Sequence, residues 1–139
     1  MKIEIAVINR HRLIRETLSE TVKLLGYQVC EAVIDEDDIL HVDAEKIPPI
    51  VIIENRLPAT GTKTFLDIIK TKKPLVKVIL FSPEDNIFQL IEDNLYYPDA
   101  LILKSTGMAD FKTILEKIAI SINERHALKR PALALFNEA

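Results

Sequence analysis

Cysteine, glycine and aromatic residues are scarce in this sequence, and each scarcity limits what the protein can be. The single cysteine, Cys30, cannot form an internal disulfide, so the chain is not a disulfide scaffold. Only three of the 139 residues are glycine and 48% are hydrophobic, which argues against intrinsic disorder. No apolar run approaches the roughly 20 residues that cross a bilayer, so we expect no membrane partner. The opening MKIEIAVINRHR lacks a signal-peptide pattern, and we expect a cytoplasmic protein.

Length and charge set the next limits. A chain of 139 residues fits one domain, and a domain of this size buries enough surface to fold without a metal or disulfide staple. The formal net charge is only −3 at pH 7, so nothing indicates electrostatic capture of nucleic acid by the whole chain. We therefore expect no direct binding of nucleic acid.

Short apolar runs alternate with amphipathic segments along the chain. Five runs rich in valine and isoleucine predict strands at 3–8, 27–33, 50–53, 76–81 and 100–103. Four of them are almost continuously apolar, as in strands that are covered on both faces. Strand–helix repetition of this kind predicts an α/β fold, with a parallel sheet, right-handed crossovers and helices on both faces.

The segments between the strands show helical spacing. Apolar stripes begin at Ile14, Phe65, Ile87 and Phe111, and Gly26 is the expected C-cap of the first helix. The acidic segment 36–46 is weakly periodic and predicts a further helix. After about residue 125 the pattern weakens into HALKRPALALFNEA, which fits a linker stub, a tail or a last helical turn.

Polar side chains follow the predicted strands at the same edge of the sheet. Ligands of open parallel α/β sheets bind at the carboxyl ends of the strands, where the strand order reverses. The residues leaving the first, third, fourth and fifth strands are Asn9, Arg10, His11, Glu54, Ser82 and Lys104. Ser82 also opens SPED and is a candidate helix N-cap. Glu54 directly ends an apolar strand and needs a partner, either Lys104 or Arg10.

Three segments of the sequence resemble one known family. The loop ENRLP, the strand ending LILKS and the helix opening NRHRLIRETLSETV are similar to those of response-regulator receivers, closest to the NarL/LuxR type. The resemblance covers residues 2–124 and implies the flavodoxin-like (βα)5 fold, with sheet order 2-1-3-4-5. It places a receiver-like domain at 1–125 and a C-terminal tail or linker stub at 126–139.

The resemblance also implies where chemistry is expected. In the family an aspartate ending strand three accepts a phosphoryl group, and two acids after strand one help to bind Mg²⁺. A serine or threonine after strand four and a lysine after strand five bind the phosphoryl oxygens. Ser82 and Lys104 match these last two positions.

The remaining chemical positions depart from the family pattern. Glu54 replaces the phosphoacceptor, Asn9 and Arg10 replace the acidic pair, and Leu101 replaces an aromatic switch residue. Mg²⁺ prefers several oxygen ligands, so one carboxylate beside an arginine is a poor site. Phosphoryl transfer relies on that metal charge. We therefore expect a degenerate phosphorylation site that binds no metal or cofactor and has no enzymatic activity.

This combination predicts a pseudo-receiver, an interaction module that signals without phosphorylation. One alternative is the receiver part of a NarL/LuxR-type transcriptional regulator whose DNA-binding domain is absent from this chain. A second is a switch phosphorylated elsewhere, at His11, Ser82 or Thr60. A third is cofactor chemistry at ATGTKT, a loop similar to that of flavodoxins, but the chain has no tryptophan and few aromatic residues to stack on a flavin.

Receivers signal through the face formed by helix four, strand five and helix five, which the resemblance places at about 84–95, 99–103 and 108–124. Tyr96 and Tyr97 on this stretch are candidate interface anchors or covers of the core edge. We expect protein partners on this face and a homodimer.

Overall fold

The computed structural model describes residues 2–31, 33–54, 62–82 and 98–138, with the main chain alone for 62–63 and 124–138. The strands are β1 (Glu4–Ile8), β2 (Gln28–Val29), β3 (Ile50–Glu54), β4 (Lys77–Ser82) and β5 (Ala100–Leu103). The helices are α1 (Arg12–Leu24), α2 (Glu36–His41), α3 (Thr62–Lys72) and α4 (Met108–Glu138), with a 3₁₀ turn at Ala44–Lys46. The apolar stripe that begins at Ile87 lies outside the described residues, so α4 corresponds to the fifth helix of the predicted fold.

The five strands form one parallel sheet in the order β2-β1-β3-β4-β5. This confirms the predicted fold class and strand order. Because β3 lies between β1 and β4, the chain segments that leave β1, β3 and β4 are neighbours at one edge of the sheet. In the register, Glu54 at the end of β3 pairs with Phe81, and Ser82 at the end of β4 pairs with Leu103.

One face of the sheet carries the largest apolar cluster. Alternate residues of β1, β3 and β4 project to this face, where α2 and α3 supply Ile39, Phe65, Leu66 and Ile69, all fully buried. Truncation of a buried phenylalanine such as Phe65 costs about 3–5 kcal/mol. This core holds β3 rigidly and therefore fixes the position at which Glu54 leaves it.

Helix α1 contacts β1 and β2 and buries Leu18 and Val22. The helix ends as the sequence predicts, because Gly26 has a φ of 98°, which a residue without a side chain adopts without strain. The N–H of Gly26 donates to the carbonyl of Lys23 at 3.0 Å and closes the last turn.

The second strand is shorter than the predicted 27–33, since only Gln28 and Val29 enter the ladder. A capping box instead starts α2 soon after the strand. In it, the N–H of Asp38 donates to Asp35 Oδ1, and the N–H of Asp35 donates to Asp38 Oδ2. This local hydrogen bonding ends the extended conformation earlier than the apolar pattern indicates.

The predicted helix 36–46 is also divided. Helix α2 ends at His41, and the 3₁₀ turn follows after a break. The ammonium of Lys72, on α3, donates to three main-chain carbonyls at this end, those of Ile39 (3.0 Å), Leu40 (2.8 Å) and Val42 (3.1 Å). A cation at a helix C-terminus satisfies carbonyls that have no partner within the helix, so Lys72 stabilises the break.

Asp99 directly precedes β5 and stabilises its amino-terminal end, which lies opposite the carboxyl edge of the sheet. Its Oδ2 accepts from the N–H of Val78 at 2.7 Å and from Lys70 Nζ at 3.0 Å, and its Oδ1 lies 3.6 Å from Lys77 Nζ. Burial acts to raise the pKa of Asp99, but the hydrogen bond from Val78 and the two lysines outweigh it and lower the pKa.

Helix α4 belongs to a second compact unit, Gly107–Ala139. It runs from Met108 to Glu138, about 46 Å at 1.5 Å per residue. Its buried residues Phe111, Leu115 and Ile118 repeat at helical spacing, as predicted. The main chain stays helical well beyond residue 125, farther than the apolar pattern indicates. No helix in the described ranges is both long and apolar enough to cross a bilayer.

Candidate functional site

The candidate site lies at the carboxyl edge of the sheet, where polar side chains leave four parallel strands. Three of these side chains are buried: Asn9 after β1 is 4% exposed, Glu54 is 5% exposed and Ser82 is fully buried. Lys104 follows β5, and its N–H donates to the carbonyl of Ser82 at 2.9 Å. The sheet topology therefore brings the predicted site positions to one edge.

Glu54 is held by Arg10. Its Oε1 accepts the main-chain N–H of Arg10 at 2.6 Å, and its Oε2 lies 3.6 Å from Arg10 Nε. The Arg10 side chain is 54% exposed, so the pair joins a buried carboxylate to a half-exposed cation. Of the two partners expected from the sequence, the structure selects Arg10. A buried carboxylate needs such compensation because it has lost its hydrogen bonds to water. Each hydrogen bond to a charged group returns about 1.5–3 kcal/mol.

The loop between β1 and α1 orients Arg10 through its own hydrogen bonds. Asn9 Oδ1 accepts the N–H of His11 at 2.9 Å, and the Asn9 carbonyl accepts from Arg15 Nη1 at 3.1 Å. Arg10 Nε donates to His11 Nε2 at 3.3 Å, so this imidazole nitrogen acts as the acceptor. The amide of Asn9 thus supports the loop and presents Arg10 to Glu54.

Lys104 is exposed, and among the described residues its ammonium forms no ion pair or side-chain hydrogen bond. Leu101, the expected switch position, is half-buried and packs against the apolar cluster. Neither residue engages Glu54 through a contact that the structure describes. The proposed capping role of Ser82 concerns 83–85, which lie outside the described residues.

Two supporting residues were missed at the sequence level. Arg15 fastens the loop to α1 through Asn9, and Thr106 Oγ1 accepts the N–H of Leu103 at 2.9 Å, closing the turn that carries Lys104. The threonine two residues after LK was a usable signal, since hydroxyl side chains commonly bond to nearby main chain in turns. Arg15 gave no such signal, because a helical arginine is ordinarily exposed.

The residues present do not fit Mg²⁺. A divalent metal at this edge needs several oxygen ligands, and carboxylates above all. Instead, Arg10 places a cation beside Oε2 of Glu54, and the side-chain oxygen of Asn9 already accepts a hydrogen bond from His11. Across the described part of the chain, no three His, Cys, Asp or Glu side chains are grouped to hold a metal.

No family model and no curated protein sequence matches the chain. Solved structures do match its fold. NtrX from Brucella abortus in complex with ADP superposes with a TM-score of 0.78 at 18% identity, over 93% of this chain. The receiver domain of NarL from Mycobacterium tuberculosis gives 0.68 at 18% identity, over 85% of this chain and 97% of that one. A LuxR-family response regulator from Aurantimonas sp. gives 0.74 at 18% identity, over 87% of both chains.

The chain has the fold of a response-regulator receiver domain. It spans only 30% of the NtrX chain that it matches, whereas it covers almost all of the isolated NarL receiver. At these identities the similarity concerns the fold alone. At the carboxyl edge of this fold, Arg10 contacts Glu54 at the end of β3.

Proposed function

We propose that this receiver fold is a pseudo-receiver, which signals by binding proteins and not by accepting a phosphoryl group. One observation carries the proposal: both carboxylate oxygens of Glu54 face Arg10, one bonded to its main-chain N–H and the other beside its guanidinium. The cation beside Glu54 is therefore a guanidinium, which interacts through N–H donors and does not coordinate oxygen ligands as Mg²⁺ does.

The chemistry of acyl phosphate formation supports this reading. A carboxylate that attacks a phosphoryl group needs a free oxygen lone pair and a nearby charge that stabilises the transferring phosphoryl oxygens. Glu54 is 5% exposed, and its Oε1 is engaged at 2.6 Å. Lys104 remains free in the described structure, but one lysine without a metal leaves most of the transferred charge uncompensated.

The ion pair between Glu54 and Arg10 holds the domain in one conformational state without phosphorylation. Since the contact joins the segment after β1 to the end of β3, it ties two strands of the sheet at the edge where receivers sense phosphorylation. We propose that partner proteins bind to the face that receivers form from their helix four, strand five and helix five. The same face forms the homodimer contact. Tyr96 and Tyr97 of that face lie outside the described residues.

A second candidate function is the receiver part of a two-component transcriptional regulator. The observations that favour it are the LuxR-family neighbour and the continuation of α4 as a helix to Glu138. In this case DNA binding belongs to a domain outside this chain, and the pseudo-receiver edge keeps the same role.

Phosphorylation assays test the proposal directly. The protein is incubated with Mg²⁺ and acetyl phosphate, and in parallel with beryllofluoride, and its intact mass and amide NMR spectrum are recorded. We expect no added phosphoryl mass and no Mg²⁺-dependent shift at Glu54, Ser82 or Lys104. The matched control is the triple variant Asn9→Asp, Arg10→Asp, Glu54→Asp, which restores the family acids and should gain the mass of one phosphoryl group. A gain by the unmodified chain refutes phosphorylation-independence.

A further inference from the structure

A groove follows the free edge of β2, away from the carboxyl edge of the sheet. It consists of two adjoining depressions of about 730 and 240 Å³, both lined by Lys23, Val29 and Glu31. Lys2 and Glu4, of opposite charge, lie at the far end of the larger one. The shared lining residues make the two depressions one continuous surface beside a sheet edge.

The main chain of β2 offers hydrogen-bonding groups to this groove. The N–H groups of Gln28 and Cys30 donate to the carbonyls of Ile3 (3.0 Å) and Ile5 (2.8 Å), so both point towards β1. Because successive residues of a strand point their N–H groups to opposite sides, the N–H of Val29 points away from β1, and Glu31 follows in the bend after β2. β2 is the terminal strand of the sheet, and the N–H of Val29 therefore faces its outer edge.

Apolar side chains border part of this groove, among charged ones. Val29 and Glu31 both line the two depressions, so an apolar and an acidic side chain border the same groove. Val7 and Val29 line the smaller depression together with residues of α1, and Ile34, which is 46% exposed, lies at its end. An extended segment beside β2 would therefore cover apolar surface while its main chain pairs with the edge.

The charges in the groove favour a cationic group at one position. Two acids of the α1 wall are already paired, Glu16 with Arg12 at 2.8 Å and Glu20 with Lys23 at 3.5 Å. Glu31 differs, since none of the residues that the structure describes forms an ion pair with it. Within the described residues, Glu31 is therefore an acid of the groove without an ion pair, two residues from the apolar Val29, although Lys2 and Lys23 line the same depression.

We propose that this groove binds an extended peptide segment of a partner protein, which adds to β2 as a sixth strand. The segment carries an apolar side chain against Val29 and a lysine or arginine against Glu31, two residues apart. Strand addition of this kind obtains affinity from main-chain hydrogen bonds and specificity from alternate side chains. The inference uses no contact of Glu54 or Arg10, so it stands independently of the pseudo-receiver proposal.

Synthetic peptides test this surface. Acetyl-Thr-Val-Thr-Lys-Thr-amide and the reversed order with Lys before Val present the required spacing for parallel and antiparallel addition. Each is titrated into the labelled protein while amide NMR shifts are followed. We expect one of them to shift Val29 and Glu31 saturably, and the same peptide with methylated amide nitrogens to lose the effect. Its Lys→Glu version should bind about fivefold more weakly, because an exposed ion pair contributes about 1 kcal/mol.

Charge reversal on the protein gives the matched test. Glu31→Lys should invert the preference between the lysine and glutamate peptides, whereas Glu45→Lys, an exposed acid on the 3₁₀ turn, should leave it unchanged. Absence of a saturable shift with either peptide order overturns the proposal, and so does equal binding of the methylated peptide. Shifts of Val29 and Glu31 with protein concentration alone also overturn it, since they identify a second copy of the chain as the occupant.

Discussion

Removal of the Arg10 guanidinium should lower the free energy of unfolding, and the contacts of Arg10 in the structure set an upper limit on the loss. The substitution Arg10→Ala leaves the main-chain N–H in place, so Glu54 Oε1 keeps its 2.6 Å hydrogen bond. The substitution removes the contact between Oε2 and Arg10 Nε, 3.6 Å apart, together with the exposed hydrogen bond from Nε to His11 Nε2. The perturbation therefore separates the ion pair from the main-chain hydrogen bond.

The size of the effect follows from this distance and the exposure of Arg10. Two unit charges at 3.6 Å attract by roughly 4–5 kcal/mol at an effective dielectric constant of about 20. Water screens the Arg10 side chain, which is 54% exposed, and its ordering costs entropy. We expect a net loss of about 1–2 kcal/mol in the free energy of unfolding, below the 3–5 kcal/mol typical of a fully stranded buried charge.

The assay is urea unfolding at pH 7 of the wild type, Arg10→Ala, Glu54→Gln and the double variant. The double-mutant cycle should give a coupling of about 1 kcal/mol at low salt. It should shrink in about 1 M salt, where the Debye length is about 3 Å. Arg12→Ala is the control, because Arg12 is 82% exposed and its pair with Glu16 is screened by water and should contribute little.

Two results would refute the reasoning. A cost of Arg10→Ala no larger than that of Arg12→Ala at low salt would show that the guanidinium does not stabilise Glu54. The second result is coupling of Glu54→Gln to Lys104→Ala and not to Arg10→Ala. The lysine would then be the working partner in solution, contrary to the contact in the structure.

Three further predictions concern charged residues. Arg10→Asp puts a second carboxylate near Glu54, so this variant alone should be stabilised by Mg²⁺, by about 1.4 kcal/mol at tenfold its dissociation constant, measured by thermal shift against the wild type. Asp99→Asn should cost about 2 kcal/mol at pH 7, whereas the exposed Asp43→Asn should cost little. Because folding lowers the pKa of Asp99, its contribution is complete above the unfolded pKa of about 3.9 and is lost as pH falls through the folded value. The two curves should therefore converge in acid unfolding. Lys72→Met should cost about 1–3 kcal/mol and speed amide exchange in α2, which the exposed Lys46→Met should not do; unchanged exchange contradicts the capping role.

The sequence was sufficient for the elements whose cause is local. Apolar runs located four strands to within a residue or two, because all four are bounded by turn residues and β1, β3 and β4 are almost wholly buried. Gly26 marked the end of α1, since only the residue itself decides how readily it adopts a positive φ. Glu54 could also be identified locally, because it is an acid that directly ends an apolar strand.

Other elements depended on competition between local preferences. The apolar run 27–33 contributes only Gln28 and Val29 to the ladder, because the capping box that begins at Asp35 turns the chain into α2. Helix α4 continues to Glu138 although its apolar stripe weakens and Pro131 lies within it; alanine, leucine, lysine and arginine on both sides of the proline favour helix without any stripe.

Only the tertiary structure decided between Arg10 and Lys104 as the partner of Glu54. Both cations follow strands that end at the same edge, so spacing and topology allowed either. β1 is the direct neighbour of β3, whereas β5 is separated from it by β4, and the bonds of Asn9 with His11 and Arg15 turn Arg10 towards Glu54. The site thus depends on contacts between residues 44 positions apart, which the sequence by itself could not determine.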